Sequence, residues 1–419
     1  MALKDKLSVE LAVEDIYGTG YHYATLVLPA TDGEIEDAMQ KARAIGREEY
    51  VDFSVITCPK LPELSAYRLD SPSLEELNFL ADRIENLDNE ETTAMQAIFS
   101  KYISKENNDD PIVMKDLINM TYGLDKCYVV EGVCNDNVLG ECVLDGEMMD
   151  SVKGLSDEML GMLDVSLVGR NFRLSEEGTY IGKDYVATVG YEWPQVYDGK
   201  TLPKSEHEVI GGGFITMKVA KTGPDPFEAE ENSVLIGLPI DRAKADEIAQ
   251  MLGEKRIEDC VYFDFRSPIS WVNDELYGDT AIFDALNSTA KGYEALNPED
   301  KIKFKAVCEN EGCDDLDKAA RIMDNLGKYQ LSYHIPDYET YAREYMSLKL
   351  PTDFDTSVLQ NCNLSALGIN ISKRLECALT DYGVVSKEGG SIFETVREEI
   401  DEEEILSEDQ EEGIGGMQM

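Results

Sequence analysis

Residues 25–42, TLVLPATDGEIEDAMQKA, pass from strand-like alternation into a helical stripe. The strand ends at Leu28-Pro29, because proline donates no ladder hydrogen bond. Thr31 or Asp32 then caps a short helix whose apolar positions are Ile35, Ala38, Met39 and Ala42. About 210 residues later the same pattern returns in VLIGLPIDRAKADEIAQML (234–252), with Leu238-Pro239, Asp241 as the cap, and a stripe of Ala245, Ile248, Ala249 and Leu252. An alternating second strand follows each copy, YVDFSVI at 50–56 and CVYFDFR at 260–266.

The next element is also doubled. EELNFLADRIENLDNEE (75–91) aligns with the region 283–300, FDALNSTAKGYEALNPED, at an offset of 209. Leu77/Leu286, Asn78/Asn287, Ala81/Ala290, Glu85/Glu294, Leu87/Leu296 and Glu90/Glu299 are identical pairs. The buried stripe is Leu74, Leu77, Leu80, Ile84 and Leu87 in one copy and Phe283, Leu286, Ala290 and Tyr293 in the other. A further helix begins near Asn89-Glu90 and near Pro298-Glu299, where proline and first-turn acids suit a helix start. A weaker match joins 167–186 with 366–385, each a helix followed by a β-hairpin. The expected fold class is α+β, an elongated tandem duplication of a roughly 200-residue unit made of small α+β and helical subdomains. The expected domains are 1–200, 208–399 and an acidic, disordered tail at 400–419.

Charge changes the picture. The first copy of the repeated helix, 75–91, holds seven acids and one base, although neighbouring carboxylates weaken a helix. The whole chain carries 84 acids against 38 bases, a net charge of −46. Residues 1–200 contribute −22, 201–400 contribute −16 and the last 19 contribute −8. At 43% hydrophobic the chain still buries real cores. Such a charge costs stability through self-repulsion and favours basic partners or cations. Direct contact with nucleic acid is not expected, since phosphate is bound by Lys and Arg. No run of 18 apolar residues predicts a membrane span, and MALKDKLSVELAVED lacks the apolar centre of a signal peptide. Nine cysteines without close pairing patterns read as reduced thiols, so the expected compartment is cytoplasmic.

Candidate chemistry is sparse. His22, His207 and His334 form no metal or catalytic motif. Cys308 and Cys313 have no second pair, which argues against zinc. Gly18-Thr19-Gly20 lacks the third glycine of a dinucleotide fingerprint. Gly211-Gly212-Gly213 precedes Phe214 rather than Lys-Ser, and reads as a hairpin turn or linker. NDNVLGE (135–141) hints at a calcium loop but fails the EF-hand spacing. No nucleophile lies beside a base in a recognisable pattern. The chain is expected not to be an enzyme, with no catalytic residue, cofactor or metal.

In the order of these motifs, twice over, the chain resembles the ArdA antirestriction family. The likeness includes TLVLPATDGEIEDAM, SLEELNFLADRIENLDNEE and VLGECVLDGEMMDSVKGLSDEMLGMLDVSLVGRNFRLSEEG in the first copy. Leu139-Gly140-Glu141 resembles the family's Leu-Gly-Glu element. In the second copy the likeness lies in LIGLPIDRAKADEIA and in residues 338–385, with Leu326-Gly327-Lys328 as a candidate for that element. The resemblance implies an elongated DNA mimic from a mobile genetic element of a bacterial host. Its carboxylates would occupy the basic DNA-binding groove of a type I restriction-modification enzyme or a related defence enzyme. Family members typically hold one copy and dimerise, so two copies suggest a monomeric pseudo-dimer. The candidate partner-binding carboxylates are Glu75, Glu76, Asp82, Glu85, Asp88, Glu90 and Glu91, with Asp284, Glu294, Glu299 and Asp300 in the second copy. The alternative is an acidic mobile-element protein that binds another basic target, such as a CRISPR effector, a transfer protein or a nucleoid protein.

Overall fold

The computed structural model describes residues 6–14, 20–105, 110–204, 209–223, 232–269, 272, 282–350, 359 and 361–387. The expected acidic tail at 400–419, His207 and Gly18-Thr19 lie outside the described residues. The fold is mixed α+β with four small sheets.

The chain opens with β1 (Leu7–Glu14), β2 (Tyr21–Leu28), α1 (Asp32–Lys41) and β3 (Val51–Thr57), and the strands form a sheet in the order β2-β1-β3. Three helices follow, α2 (Leu74–Glu85), α3 (Asn89–Lys105) and α4 (Met114–Met120). Then come β4 (Tyr128–Val130), α5 (Asp136–Asp145), α6 (Asp157–Leu160), α7 (Val165–Ser175), β5 (Thr179–Ile181) and β6 (Asp184–Ala187). Their strands make an antiparallel sheet, β4-β6-β5.

Beyond residue 209 come β7 (Ile210–Gly211), β8 (Ile215–Ala220), β9 (Val234–Leu238), α8 (Arg242–Met251) and β10 (Val261–Arg266), in a sheet ordered β10-β8-β9-β7. Helices α9 (Phe283–Glu294), α10 (Pro298–Glu311) and α11 (Leu316–Asp324) follow. The described chain closes with β11 (Tyr329–Ser332), α12 (Tyr338–Lys349), α13 (Leu364–Arg374), β12 (Cys377–Thr380) and β13 (Gly383–Lys387), whose sheet runs β11-β13-β12.

Gly211 is a strand residue rather than part of a hairpin turn, and Gly212 follows it in the connection from β7 to β8. β7 pairs in parallel with β9, and a Cβ on Gly211 would sit 2.1 Å from the Gly237 carbonyl oxygen. Only glycine lets the two backbones approach that closely. The stretch 135–141 is the start of α5, with the Asn135 side chain accepting from Asn137 N and Val138 N, so it is a helix cap rather than an ion-binding loop.

Two compact units emerge from the contacts, and neither is contiguous in sequence. Among the described residues, one comprises 6–11, 25–30 and those of 52–204; the other comprises 12–14, 20–24, 31–51 and those from 209 to 387. Helix α1 therefore belongs to the second unit. The reason is a buried polar cluster. Lys305 Nζ of α10 lies 2.6 Å from Asp37 Oδ1, and the Tyr382 hydroxyl donates to the same oxygen at 2.5 Å. Lys41 approaches the other Asp37 oxygen at 3.1 Å. Arg43 Nη1 donates to the Asp381 carbonyl at 2.7 Å, and the Tyr333 hydroxyl donates to the Gln40 carbonyl at 2.8 Å. Burial pushes the Asp37 carboxyl up, but the cations of Lys305 and Lys41 and the hydrogen bonds hold it below its ordinary value.

The apolar core of the second unit gathers Ile215, Met217, Ile236, Leu238, Ile248, Leu286, Tyr293, Phe304 and Val307, with the Phe214 and Tyr293 rings stacked 3.6 Å apart. The first unit buries Leu77, Leu80, Ile84, Ala97, Phe99 and Leu117 between α2, α3 and α4.

Candidate functional site

The acid-rich stretch 75–91 folds as α2 and the start of α3. Most of its carboxylates have work inside the unit. Ser73 caps α2, accepting from Glu76 N at 3.1 Å, while Ser73 N donates to Glu76 Oε2 at 2.9 Å. The other Glu76 oxygen accepts from the Tyr197 hydroxyl at 2.9 Å. Asp88 and Glu91 close α3 in the same reciprocal manner, at 2.8 and 3.0 Å. These acids answer the puzzle of like charge on a helix: they satisfy amide groups that a helix start leaves without partners, and they lie at the positive end of the dipole.

Glu85 pairs with Lys6 at 3.1 Å. Asp82 is half-buried and accepts from Asn86 Nδ2 at 3.4 Å. Glu75 and Glu90 stand exposed, with no hydrogen bond or ion pair among the described residues.

The second set is more fully neutralised. Asp284 pairs with Arg242 at 2.9 Å and Glu294 with Lys301 at 2.8 Å. Asp300 receives Lys303 at 2.7 Å and caps α10 together with Asn297, whose Oδ1 accepts from Asp300 N at 2.8 Å. Glu299 is the one acid of this set that is exposed without such a partner among the described residues. The structure thus leaves Glu75, Glu90 and Glu299 uncompensated and assigns the other named acids to caps, pairs or local hydrogen bonds.

What recurs between α2 and α9 is an asparagine clamp. Ala30 N donates to Asn78 Oδ1 at 2.6 Å, and Asn78 Nδ2 donates back to the Ala30 carbonyl at 3.0 Å. Ile240 N donates to Asn287 Oδ1 at 2.9 Å, and Asn287 Nδ2 donates to the Ile240 carbonyl at 3.0 Å. Each clamp ties the residue after a Leu-Pro pair to the helix that follows, satisfying a backbone group at a strand exit where no ladder continues. Leu28-Pro29 and Leu238-Pro239 are both cis.

Leu139 and Gly140 are buried in α5 and Glu141 is exposed, accepting from Asn137 Nδ2 at 3.0 Å. Gly140 and Gly169 bring α5 and α7 into backbone contact: an added Cβ would lie 1.9 Å from the Val165 carbonyl oxygen and 1.9 Å from that of Asp136, respectively. Gly368 does the same for α12 and α13, where a Cβ would lie 2.0 Å from the Tyr338 carbonyl oxygen. Leu326-Gly327-Lys328 is a short 3-10 turn ahead of β11 and takes no part in such a helix pair. The Leu-Gly step of 139–140 has no glycine equivalent at the matching place in α12, where Tyr341 and Ala342 are buried.

Cationic partners are also missing from exposed acids that the helix alignment did not single out. Glu131, Asp145 and Glu147 are exposed around α5, and their carboxylates make no hydrogen bond or ion pair among the described residues. The signal was present in composition: residues 131–165 hold nine acids and one base. Among the described residues no three His, Cys, Asp or Glu side chains are placed to hold a metal, and no helix is long and apolar enough to cross a membrane. Surface carboxylates without a cation leave a negative potential that attracts cations and basic side chains. Neither a known family model nor a curated protein matches the chain.

Proposed function

We propose that this protein is a tandem duplication acting as a DNA mimic, an inhibitor of type I restriction-modification or of a related DNA-binding defence enzyme. The observation that carries the charge argument is the surplus of acids over bases, a net −46 over the whole chain, together with the exposed carboxylates that no cap or cation engages among the described residues. Glu75, Glu90, Glu131, Asp145, Glu147 and Glu299 are exposed without a cation. Lys and Arg side chains in a DNA-binding groove contact phosphate largely without regard to base sequence. Carboxylates presented to that groove displace DNA by the same interactions, so inhibition is independent of recognition sequence and weakens with salt. The choice of target enzyme comes from the resemblance to ArdA.

The duplication is supported by the two asparagine clamps at an offset of about 210, and by the shared order of elements, α6 excepted, from β1 to β6 and from β8 to β13. β1 lies between β2 and β3 as β8 lies between β9 and β10, and β6 and β13 are the central strands of the two remaining sheets. Two copies in one chain take the place of a dimer, and the chain is then monomeric. Light scattering that gives an obligate dimer at micromolar concentration would contradict that part.

The deciding experiment is competition in methylation and cleavage assays with a type I enzyme across a salt series. Inhibition is expected to fall steeply as salt rises. Changing Glu75, Glu90, Glu131, Asp145 and Glu299 together to Lys is expected to abolish most of it, while each single change does little. Absence of inhibition at every salt concentration would sink the reading for this enzyme class, and loss of inhibition from a single substitution would sink the distributed-charge mechanism.

A further inference from the structure

Helix α10 of the second unit ends in a left-handed cap that sets two cysteines side by side. Gly312 has φ 59° and ψ 58°, a conformation that glycine adopts without a Cβ penalty. Cys313 N donates to the Cys308 carbonyl at 2.8 Å, and Gly312 N donates to the Glu309 carbonyl at 3.2 Å. These two bonds make the Schellman arrangement, in which the side chains at the outer two positions meet. Here both of those positions are cysteines. Both are buried, and the Cys308 thiol is hydrogen-bonded to that of Cys313. The Cys313 thiol in turn reaches the Asp315 carbonyl at 3.6 Å.

The main-chain bond also limits how far apart the two residues are. With standard backbone lengths and an N···O contact of 2.8 Å, their Cα atoms are at most about 6.7 Å apart. A disulfide joins Cα atoms roughly 4.4–6.8 Å apart, so the backbone as it stands is within reach of one. The matching places in the first half, 209 residues earlier, are Phe99 and Ser104, and α3 runs through both to Lys105. The repeated scaffold therefore requires neither this cap nor a pair of thiols. The turn over the pair faces solvent: Glu309, Asn310 and Gly312 are exposed, and a Cβ on Gly312 would meet nothing within 4 Å. The neighbouring thiol and burial push Cys308 up and keep it protonated, which leaves the first nucleophilic attack to Cys313.

We propose that Cys308 and Cys313 form a redox-active dithiol, which small-molecule disulfides oxidise to an intramolecular bond that staples the end of α10 to the turn into α11. Cys313 loses its proton and its sulfur attacks one sulfur of the reagent. The reagent's S–S bond breaks, and one half leaves as a thiolate that takes up a proton. Cys308 then gives up its own proton, attacks the Cys313 sulfur of the mixed disulfide and expels the second half, which is protonated in the same way. Two electrons pass from the cysteine pair to the reagent, and two small thiols are released. Lys305, which holds α1 through Asp37, lies one helical turn before Cys308, so the staple closes next to that anchor.

The test treats the folded full-length protein with hydroxyethyl disulfide, an uncharged reagent, then quenches with acid, blocks free thiols and digests with trypsin. Cleavage after Lys305 and Lys318 leaves both cysteines in one peptide, residues 306–318. That peptide is expected to be two hydrogens lighter, with this pairing favoured at least about tenfold over any other, because other pairs lack the geometry. The exposed Cys134 and Cys362 are expected to carry reagent adducts only. Cys308→Ser is expected to stall with the reagent on Cys313, and the oxidised protein is expected to melt at a higher temperature than the reduced one. A pair left reduced while Cys134 and Cys362 are modified would overturn the proposal. So would reagent on both Cys308 and Cys313, a mixture of pairings without preference, an untouched Cys313 in the folded Cys308→Ser protein, or a lowered melting temperature on oxidation.

Discussion

Helices α2 and α9 are built alike inside and differently outside. Both bury a leucine beside the clamp asparagine, Leu77 with Asn78 and Leu286 with Asn287, and both are followed at once by a second helix. Their surfaces diverge: Glu76 and Asp82 of one correspond to Ala285 and Lys291 of the other, and beyond the helix ends Asp88 corresponds to Asn297. The difference teaches that the scaffold requirement lies in the apolar stripe and the asparagine, while charge is constrained only where it caps a helix or meets a cation. A net charge counted along a helix therefore overstates the acid available to a partner.

The same contrast extends to α3 and α10 and yields the largest expected effect. Lys305 of α10 aligns with Gln96 of α3 at the offset of 209. Lys305 is buried against Asp37, whereas Gln96 is half-buried and donates to the Lys60 carbonyl at 2.8 Å. Lys305→Met leaves a buried carboxylate short of its main cation and is expected to cost about 3 kcal/mol in urea unfolding. Gln96→Met is expected to cost about 1 kcal/mol or less. Equal losses would mean that the Asp37 cluster does not hold α1 in the second unit. The same cluster sets a pH dependence. The Asp37 carboxyl lies below its ordinary 3.8 in the folded chain, so its contribution is complete above that value and is lost as pH falls below it. Asp37→Asn is expected to flatten the acid limb of a stability–pH curve below about pH 4.

The clamps come next. Asn287 is buried and Asn78 half-buried, although the hydrogen bonds are the same. Asn287→Ala is expected to destabilise by about 3 kcal/mol and Asn78→Ala by about 1.5 kcal/mol, because water reaches the orphaned amide more easily at the latter. Differential scanning calorimetry checks the ranking, and a reversed order would break the comparison.

The smallest effect is expected at the uncompensated acids. Glu75→Gln and Glu299→Gln are expected to change stability by less than about 0.5 kcal/mol, with Glu75 and Glu299 indistinguishable in chemical denaturation. A clear loss at either would reveal a role in folding rather than in presenting charge.

Much of the local architecture was legible in the sequence. Both Leu-Pro strand exits, the strands after them, the helices at 74–85 and 283–294 and the helix–hairpin units at the end of each half stand where periodicity and capping chemistry place them. These features are local: hydrogen bonds within a few residues and an apolar stripe of fixed period determine them. The candidate site was legible only as a number of charges. Glu76, Asp88 and Glu91 look in sequence like free acids, and only the folded chain brings Tyr197 to Glu76 or Lys6 to Glu85, more than 70 positions apart. Lys305 gave no sign at all, since it sits among Lys301 and Lys303 in a helix with buried residues at Ile302, Phe304, Ala306 and Val307.

By itself the sequence determined the periodic elements, the repeated asparagine and an excess of negative charge, because each depends on residue type and spacing alone. Tertiary structure decided which carboxylates remain uncompensated, and that α1 is held by Lys305 and Tyr382 rather than by its neighbours in the chain. A charge can be counted along a chain, but its field and its burial depend on which distant groups folding sets beside it.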